Sequence, residues 1–430
     1  MSPIGVVCFA AGLCVVGMVA GVAAAVMVQR RPSPRVAHPP NNIEIADSAP
    51  ATSASAMPVS SVASPASSPP VDVVDPPAAE GKFVKTYQVR LDVPPIDVQF
   101  SSDESLFYVL AQDGTLRAHD VEAGAEKRRM KLPGRGKSLK SLPGSRLAVL
   151  GLPAELVVID EAAWQAGRAE SDILKRIGVR DVIDVAALGD PNVVIAATGQ
   201  GGRVVRLSKD LSTIDAEFVS VPPVHTLVTL RVGDAERLVM LVSGRPPADS
   251  GAVIVCDPAI DPFCGSRAVW TAMTEPRASL RAGSNRSLLF DTATATVVDF
   301  SVGAERRVAP SGPQPIAAFP WVGDRAVVIG AAGEATVVSL GHRKVQATVA
   351  LGGVPSAAVA TPDRRVVIAA LGGGPTGRGA TTVVLAGEPL AVESSVDTGE
   401  GSHVLAMTAK GGLVAVGATG GRTVTLFQRK

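Results

Sequence analysis

The residues that most often build metal, cofactor and nucleic-acid sites are scarce in this sequence. Aromatic residues occupy 3% of the 430 positions, there are five histidines and four cysteines, and the net charge at pH 7 is +1. A chain that binds nucleic acid over much of its surface carries a large basic excess, so this balance argues against a nucleic-acid partner. Four cysteines are also too few for a framework of disulfides.

The cysteines fall into two distant pairs. Cys8 and Cys14 lie in the apolar N-terminus, whereas Cys256 and Cys264 flank the loop DPAIDPF. A bridge between Cys256 and Cys264 is sterically feasible and would form only in an oxidising compartment. Zinc would need two further ligands, and no other His or Cys is near in sequence, so we predict no metal site.

No motif for catalysis or cofactor binding stands out. The histidines belong to no nucleophile or metal motif, and the tryptophans do not recur in register as a cofactor-docking motif would. These residues are His38, His119, His225, His342, His403, Trp164, Trp270 and Trp321. We therefore assign no catalytic residue and no cofactor. The alternative is a catalytic cluster assembled from distant parts of the chain.

The N-terminus carries a long uncharged segment. Residues 4–28 contain no charged side chain, which is long enough for a tilted helix to cross a bilayer and too long for the apolar part of a cleaved signal. We predict a single-pass transmembrane anchor over residues 1–31, with the lipid bilayer as its partner. Gly17, Gly21 and Ala25 form a stripe of small residues through which two anchors would pack as a homodimer. The alternative is that Gly and Ala are simply common here.

Two observations bear on the side of the membrane. Arg30, Arg31 and Arg35 follow the anchor directly, and the positive-inside rule then places the bulk of the protein in the cytoplasm. The cysteine pair at 256 and 264 favours the periplasmic or extracellular side. We predict a cytoplasmic location and keep the other as the alternative.

A linker follows the anchor. Residues 32–81 are dominated by Pro, Ser and Ala, as in SASAMPVSSVASPASSPP, and they contain no aromatic residue. Such a segment cannot bury enough apolar surface to offset the entropy lost on ordering. We predict a disordered tether between the anchor and the rest of the chain.

From residue 82 onward the sequence repeats. The clearest unit, PIDVQFSSDESLFYVLAQDGTLRAHDVEAG at 95–124, contains an alternating strand, a turn, an apolar strand, an Asp-Gly turn and another strand. Eight comparable pairs of apolar strands follow one another at a spacing of roughly 40 to 50 residues, the period of a four-stranded propeller blade. Their turns, such as QDGT, AAGE and ATGG, carry residues that accept the positive φ of tight hairpins.

These units resemble the WD40 and YVTN families of β-propeller repeats, most clearly in FYVLAQDGTLRAHDV. Asp120, Asp160, Asp257 and Asp299 stand where the strand-ending Asp of the family falls, but the chain has no Trp-Asp dipeptide and no Gly-His opening. The resemblance implies an all-β propeller of four-stranded blades. The departures imply that the structural hydrogen-bond tetrad of the family is missing.

The ends of the repeat region predict how the ring closes. The last unit, HVLAMTAKGGLVAVGATGGRTVTLFQ, supplies only three strands, and the alternating segment 83–93 would supply the fourth and remove an exposed edge. The propeller would then span 82–430 with eight blades. Seven is the alternative, if the weak unit at 134–160 is an embellishment.

One charged run and several long loops are candidate binding surfaces. The run KRRMKLPGRGKSLK holds seven basic residues and no acid, and we predict that it binds an anionic partner. A solvated outer strand is the alternative. Its basic residues are Lys127, Arg128, Arg129, Lys131, Arg135, Lys137 and Lys140. Long loops at 244–251 and 372–380 decorate one face, and those at 161–171 and 256–264 the other.

Two functions from different classes fit this architecture. The first is a membrane-tethered, non-catalytic scaffold that presents loop faces to a protein partner. The second is a propeller enzyme of the lactonase or lyase type, with chemistry at the central channel. Propellers host many unrelated activities, so the fold does not decide between them. The absence of any catalytic motif favours the scaffold.

Overall fold

Short apolar runs separated by Gly- and Asp-bearing turns form the strands of this protein. The computed structural model describes residues 81–430, apart from short segments at 189–193, 200–201, 221–222, 233–234, 244–250, 260–261, 266, 271–272, 279–286, 301–306 and 374–377. The described residues form 32 strands and two short helices. The strands are arranged as eight antiparallel sheets of four strands each, so the chain is an eight-bladed propeller.

The first four blades follow one another along the chain. Blade 1 contains β2 (Pro95–Phe100), β3 (Leu106–Ala111), β4 (Thr115–Asp120) and β5 (Glu126–Lys131). Blade 2 contains β6 (Ser138–Leu142), β7 (Arg146–Leu150), β8 (Leu156–Asp160), α1 (Glu161–Gln165), α2 (Glu170–Ile173) and β9 (Leu174–Ile177). Blade 3 contains β10 (Val182–Ala187), β11 (Val194–Thr198), β12 (Arg203–Leu207) and β13 (Ile214–Val219). Blade 4 contains β14 (Val224–Val232), β15 (Ala235–Val242), β16 (Ala252–Cys256) and β17 (Arg267–Trp270).

The last four blades include the strand that closes the ring. Blade 5 contains β18 (Pro276–Ala278), β19 (Ser287–Asp291), β20 (Thr296–Phe300) and β21 (Arg307–Pro310). Blade 6 contains β22 (Pro315–Trp321), β23 (Arg325–Gly330), β24 (Glu334–Ser339) and β25 (Lys344–Ala350). Blade 7 contains β26 (Ala357–Ala360), β27 (Val366–Leu371), β28 (Thr381–Ala386) and β29 (Ala391–Asp397). Blade 8 contains β30 (Ser402–Met407), β31 (Leu413–Ala418), β32 (Thr423–Arg429) and β1 (Phe83–Arg90).

The ring is closed by pairing the two ends of the repeat region. β1 pairs antiparallel with β32, from Phe83 opposite Arg429 to Arg90 opposite Thr423. The eight blades agree with the number that the sequence favoured. The weak unit at 134–160 is part of a complete blade 2, whose outer strand β9 comes after an inserted helical segment. The seven-bladed alternative is therefore wrong.

The hydrophobic core lies between the blades. Each of its eight clusters joins two neighbouring sheets, as Tyr108 and Leu116 of blade 1 do with Leu147 and Trp164 of blade 2. Because a middle strand packs against a neighbour on both faces, it is apolar throughout, and every residue of β27 is buried. An outer strand such as β29 has only its alternate residues partly covered. This difference explains the apolar pairs of strands in the sequence.

The first strand of each blade lines the inner wall of the ring. First strands of neighbouring blades pack against one another, as β2 does with β6 and with β30. Two aspartates connect these strands in the same way. Asp97 accepts hydrogen bonds from the amides of Val98 (2.8 Å) and of Leu139 in the next blade (2.7 Å). Asp184 in blade 3 does the same with Val185 (2.8 Å) and Leu227 of blade 4 (2.7 Å).

The aspartates that end the third strands shape the turns that follow. Asp120 accepts hydrogen bonds from the amides of Glu122 (3.0 Å) and Ala123 (2.9 Å). Asp160 caps α1 through the amide of Ala163 (2.8 Å). Each carboxylate replaces water at amides that the strand ladder leaves free. In these two blades the strand-ending Asp therefore has a local structural role.

Several sequence predictions lie outside the described residues. They are the anchor at 4–28, its stripe Gly17, Gly21 and Ala25, all of the linker before residue 81, and residues 244–250 and 374–377 of the two long loops predicted on one face. Among the residues that the structure does describe, neither helix is long and apolar enough to span a membrane.

Candidate ligand cleft between blades 1 and 2

The seven basic residues of the predicted anionic-partner patch do not form one free surface. Five of them pair with carboxylates of the protein itself, at nitrogen to oxygen distances of 2.6 to 3.8 Å. The pairs are Lys127–Asp120, Arg129–Glu126, Lys131–Asp113, Lys137–Asp181 and Lys140–Asp184. Arg128 and Arg135 make no ion pair with any residue that the structure describes. These two arginines are therefore the uncompensated charges of the run.

Arg128 borders a cleft of about 380 Å³ between blades 1 and 2. The cleft is formed by the start of β3, the middle of β4, the outer strand β5 and the helix α1 that blade 2 inserts. Its lining residues are Ser105, Leu106, Ala118, Lys127, Arg128, Trp164 and Gln165. Leu106, Ala118 and Trp164 supply the apolar part of the lining, here called the floor, and Lys127 and Arg128 are its two cations.

The cleft is hollow because a small residue lies between two large ones. Tyr108, Ala118 and Arg128 are cross-strand neighbours on β3, β4 and β5, and their side chains share one face of the blade. Tyr108 stacks on Trp164 of α1, with the ring centroids 5.3 Å apart. The methyl group of Ala118 leaves open the space between that aromatic pair and the arginine.

The helix that carries Trp164 is held at both blades. Its N-terminus is capped by Asp160. The carboxylate of Glu161 reaches across to blade 1, where it accepts hydrogen bonds from the amide (3.1 Å) and the hydroxyl (2.7 Å) of Ser102. Glu161 is 1% exposed, and burial raises its pKa. Glu161 thus positions Trp164 without touching the cleft itself.

The guanidinium of Arg128 lies close to the backbone of Gly167, which has no side chain. Gly167, just after α1, has a φ of +71°, and a Cβ added there would lie 2.6 Å from a terminal nitrogen of Arg128. Glycine at this position therefore provides both the left-handed backbone and the space for the arginine. The segment inserted into blade 2 and the basic strand β5 of blade 1 thus approach each other closely at Gly167 and Arg128.

No carboxylate is among the described residues that line the cleft, but Asp103 lies directly behind the lining residue Ser105. The hydroxyl of Ser105 donates to Asp103 at 2.8 Å. Burial by itself would raise the pKa of Asp103, but hydrogen bonds from Ser101 and Ser105 outweigh burial, and the pKa is lowered. Asp103 is therefore ionised at neutral pH. Since Asp120 lies 3.4 Å from Lys127, Arg128 is the cation in this cleft best placed to meet an anionic ligand.

The loop between Cys256 and Cys264 is held by a disulfide and by contacts with blade 3. The two cysteines form a disulfide with a Cα–Cα distance of 5.2 Å, and both are buried. Arg206 of blade 3 donates to the carbonyl of Pro258 (3.0 Å) and lies over the ring of Phe263. This loop thus closes the interface between blades 3 and 4.

Two histidines lie at the inner wall of the ring, where an enzyme of this fold would place its chemistry. His225 and His403 are the extra residues of β-bulges at the start of β14 and β30. Burial, and then the charge of Arg277, lower the pKa of His225 to about 4, so its imidazole is neutral at pH 7. No group of three or more His, Cys, Asp or Glu suited to a metal occurs in the described part of the chain.

The sequence identifies both segments that form the cleft but does not show that they lie side by side. It singled out the basic run and the insertion at 161–171 as separate features. It did not assign Ser105, Trp164 or Gln165 to a site. The signal was the repeat itself, because the turn before β5 and the insertion before β9 occupy the same position in consecutive blades. Neighbouring blades bring such segments together on one face.

No family model and no curated protein matches the chain. Among solved structures it is similar to the C-terminal WD40 domain of Sif2, with a TM-score of 0.61 and 12% identity over 82% of this chain and 99% of that one. It is also similar to hydrazine synthase of Kuenenia stuttgartiensis, with a TM-score of 0.52 and 12% identity over 79% of this chain and 97% of that one.

These likenesses show the fold. The chain has a WD40-like β-propeller fold, as the repeats in its sequence predicted. One of the two similar structures is named as an enzyme and the other as a domain, so the fold by itself leaves the function to be argued from the site.

Proposed function

We propose that the protein is a non-catalytic scaffold whose propeller holds a protein partner at the cleft between blades 1 and 2. The observation that carries this proposal is the uncompensated Arg128 beside an apolar floor. Charge beside a recessed apolar surface is the arrangement by which interfaces combine an anchor residue with an orienting contact. None of the lining side chains is a carboxylate, a histidine or a cysteine, so the cleft is suited to binding more than to acid–base chemistry.

The proposal includes a membrane tether. Residues 4–28 are uncharged and residues 32–81 have the composition of a disordered linker. A linker of this length allows a separation of roughly 35 to 40 Å between the ring and the bilayer. Such a scaffold would capture partners that lie near a membrane without being fixed in one orientation.

We propose a cytoplasmic location for the ring, on the basis of Arg30, Arg31 and Arg35. The disulfide between Cys256 and Cys264 is the observation against it, because disulfides are rare in the cytoplasm. Protease added to intact cells or spheroplasts should spare a cytoplasmic ring, and both thiols should be alkylated after denaturation without reductant. External cleavage together with thiols protected from alkylation would place the ring on the other side.

The scaffold itself is tested by recovering its partner. The full-length protein, tagged and extracted from membranes in mild detergent, should bring down a defined protein in stoichiometric amount. The matched control is the same protein with Arg128→Glu, which should lose that protein while keeping its melting temperature. If wild type and Arg128→Glu recover equal amounts of the partner, the cleft is not the binding site. Recovery of no stoichiometric partner would contradict the scaffold itself.

A further inference from the structure

We propose that the occupant of the cleft is an acidic protein segment that carries one apolar anchor residue. This inference rests on the proposed function and names the chemistry of the partner. Carboxylates of the segment would pair with Arg128 and Lys127, and the apolar side chain would enter between Leu106, Ala118 and Trp164.

The shape of the cleft requires an apolar anchor. Its floor is made of a leucine, an alanine and an indole, and Trp164 is 3% exposed because it is packed against Tyr108. A purely anionic ligand would leave this floor uncovered or trap water against it. An aliphatic or aromatic side chain would displace that water and bury its own apolar area, at roughly 25 cal/mol per Å².

The charges require an acidic neighbour for that anchor. Arg128 is exposed and has no ion pair with a described residue, and its guanidinium lies close to the backbone of Gly167. A planar guanidinium can pair with a carboxylate through two hydrogen bonds. Lys127 shares its charge with Asp120 at 3.4 Å, so it contributes less.

A protein segment fits the cleft better than a lipid surface. Binding to a flat anionic bilayer depends on several free cations in one plane. Here five of the seven basic residues of the run already pair with the protein's own carboxylates. The free charge at the cleft, Arg128, lies beside a hollow with an apolar floor, and a side chain can enter this hollow whereas a headgroup cannot fill it.

The test uses the full-length protein in detergent micelles and measures fluorescence anisotropy. The probe is a labelled decapeptide of Asp and Glu with one central Leu, and a second peptide has Ser in place of that Leu. We expect the Leu peptide to bind at least about ten times more tightly than the Ser peptide. We expect Arg128→Glu to weaken binding of the Leu peptide by a similar factor. Ser105→Trp, at an exposed position on the rim, should block the cleft.

Arg135→Glu is the matched control. It makes the same change of charge in the same basic run, at an exposed position outside the cleft, and it should change the affinity less than about threefold. Equal losses in the two arginine variants would show nonspecific attraction and overturn the inference. Equal binding of the Leu and Ser peptides would also overturn it, as would no binding of either.

Two further measurements distinguish a protein occupant from a lipid headgroup, and the cleft from the scaffold. Displacement of the peptide by glycerophosphoserine, a soluble lipid headgroup, at a similar concentration would contradict a protein occupant. If the partner recovered from membranes still binds Arg128→Glu, this inference and the cleft fail while the scaffold remains. If the peptides behave as expected but no stoichiometric partner is recovered, the cleft binds acidic segments and the scaffold proposal fails.

Discussion

The closing strand offers a sharp test of the architecture, because its two faces are buried to different extents. Phe83 of β1 is 4% exposed and packs in the cluster between blades 7 and 8 with Ile368, Val416 and Phe427. Val84, the next residue, is 43% exposed. Phe83→Ala should therefore leave a cavity in the core, whereas Val84→Ala should remove a side chain that is already largely in water.

The expected magnitudes follow from these contacts. Replacing a buried Phe by Ala costs about 3 to 5 kcal/mol, and we expect about 3 for a strand at the edge of its blade. Unfolding about 350 residues carries an entropy near 0.7 kcal/mol per kelvin, so the melting temperature should fall by about 4 °C. For Val84→Ala we expect less than about 1 kcal/mol and a shift within about 1 °C.

The measurement is thermal unfolding of the full-length protein in detergent, followed by circular dichroism for the wild type and both variants. A melting temperature lowered equally by the two substitutions would refute the pairing of β1 with β32, since only that pairing places Phe83 in the core and Val84 outside. A wild-type melting temperature in Phe83→Ala would refute it as well.

Three further predictions concern charge, linker and disulfide. Burial raises the pKa of Asp97 to about 6, above the unfolded value, so its contribution to stability is present below about pH 4 and is lost as pH rises through 6. The urea stability of Asp97→Asn relative to wild type should therefore improve by about 1 to 2 kcal/mol from pH 5 to pH 8, and a constant difference would contradict this. Deleting residues 36–75 should leave the melting temperature unchanged, and a fall of several degrees would show that they are not a linker. In the purified, air-oxidised protein, a reductant should destabilise wild type by about 2 to 3 kcal/mol and leave the double variant Cys256→Ser/Cys264→Ser unaffected; equal responses would contradict the bridge.

The fold was largely predictable from the sequence, because its repeat leaves a periodic signal. The second and third strands pack on both faces, so they appear as apolar runs such as those of β27 and β28. First and fourth strands are shorter or more polar, as β18 and β5 are, and they were located mainly by their place in the repeat. The weak start of blade 2 makes the number of blades ambiguous in the sequence, because its outer strand β9 comes only after the helical insertion.

The cleft was less predictable, since it depends on contacts between residues far apart in sequence. Nothing in the local pattern around Trp164 shows that its ring stacks on Tyr108, 56 positions earlier. The seven basic residues of the run looked like one patch because sequence does not reveal which of them meet carboxylates. The pair Lys140 and Asp184 is 2.6 Å apart and joins two blades.

The most direct test of the account is photo-crosslinking in living cells. A photoreactive residue is placed at Ser105, which lines the cleft, and in a separate strain at Ser395, which is also exposed and lies on β29 of blade 7. The account predicts that Ser105 becomes linked to a partner segment containing acidic residues and an apolar residue, mapped by mass spectrometry, and that Arg128→Glu abolishes the link. Equal linking of the same segment at Ser395, or linking at Ser105 that survives Arg128→Glu, would contradict it.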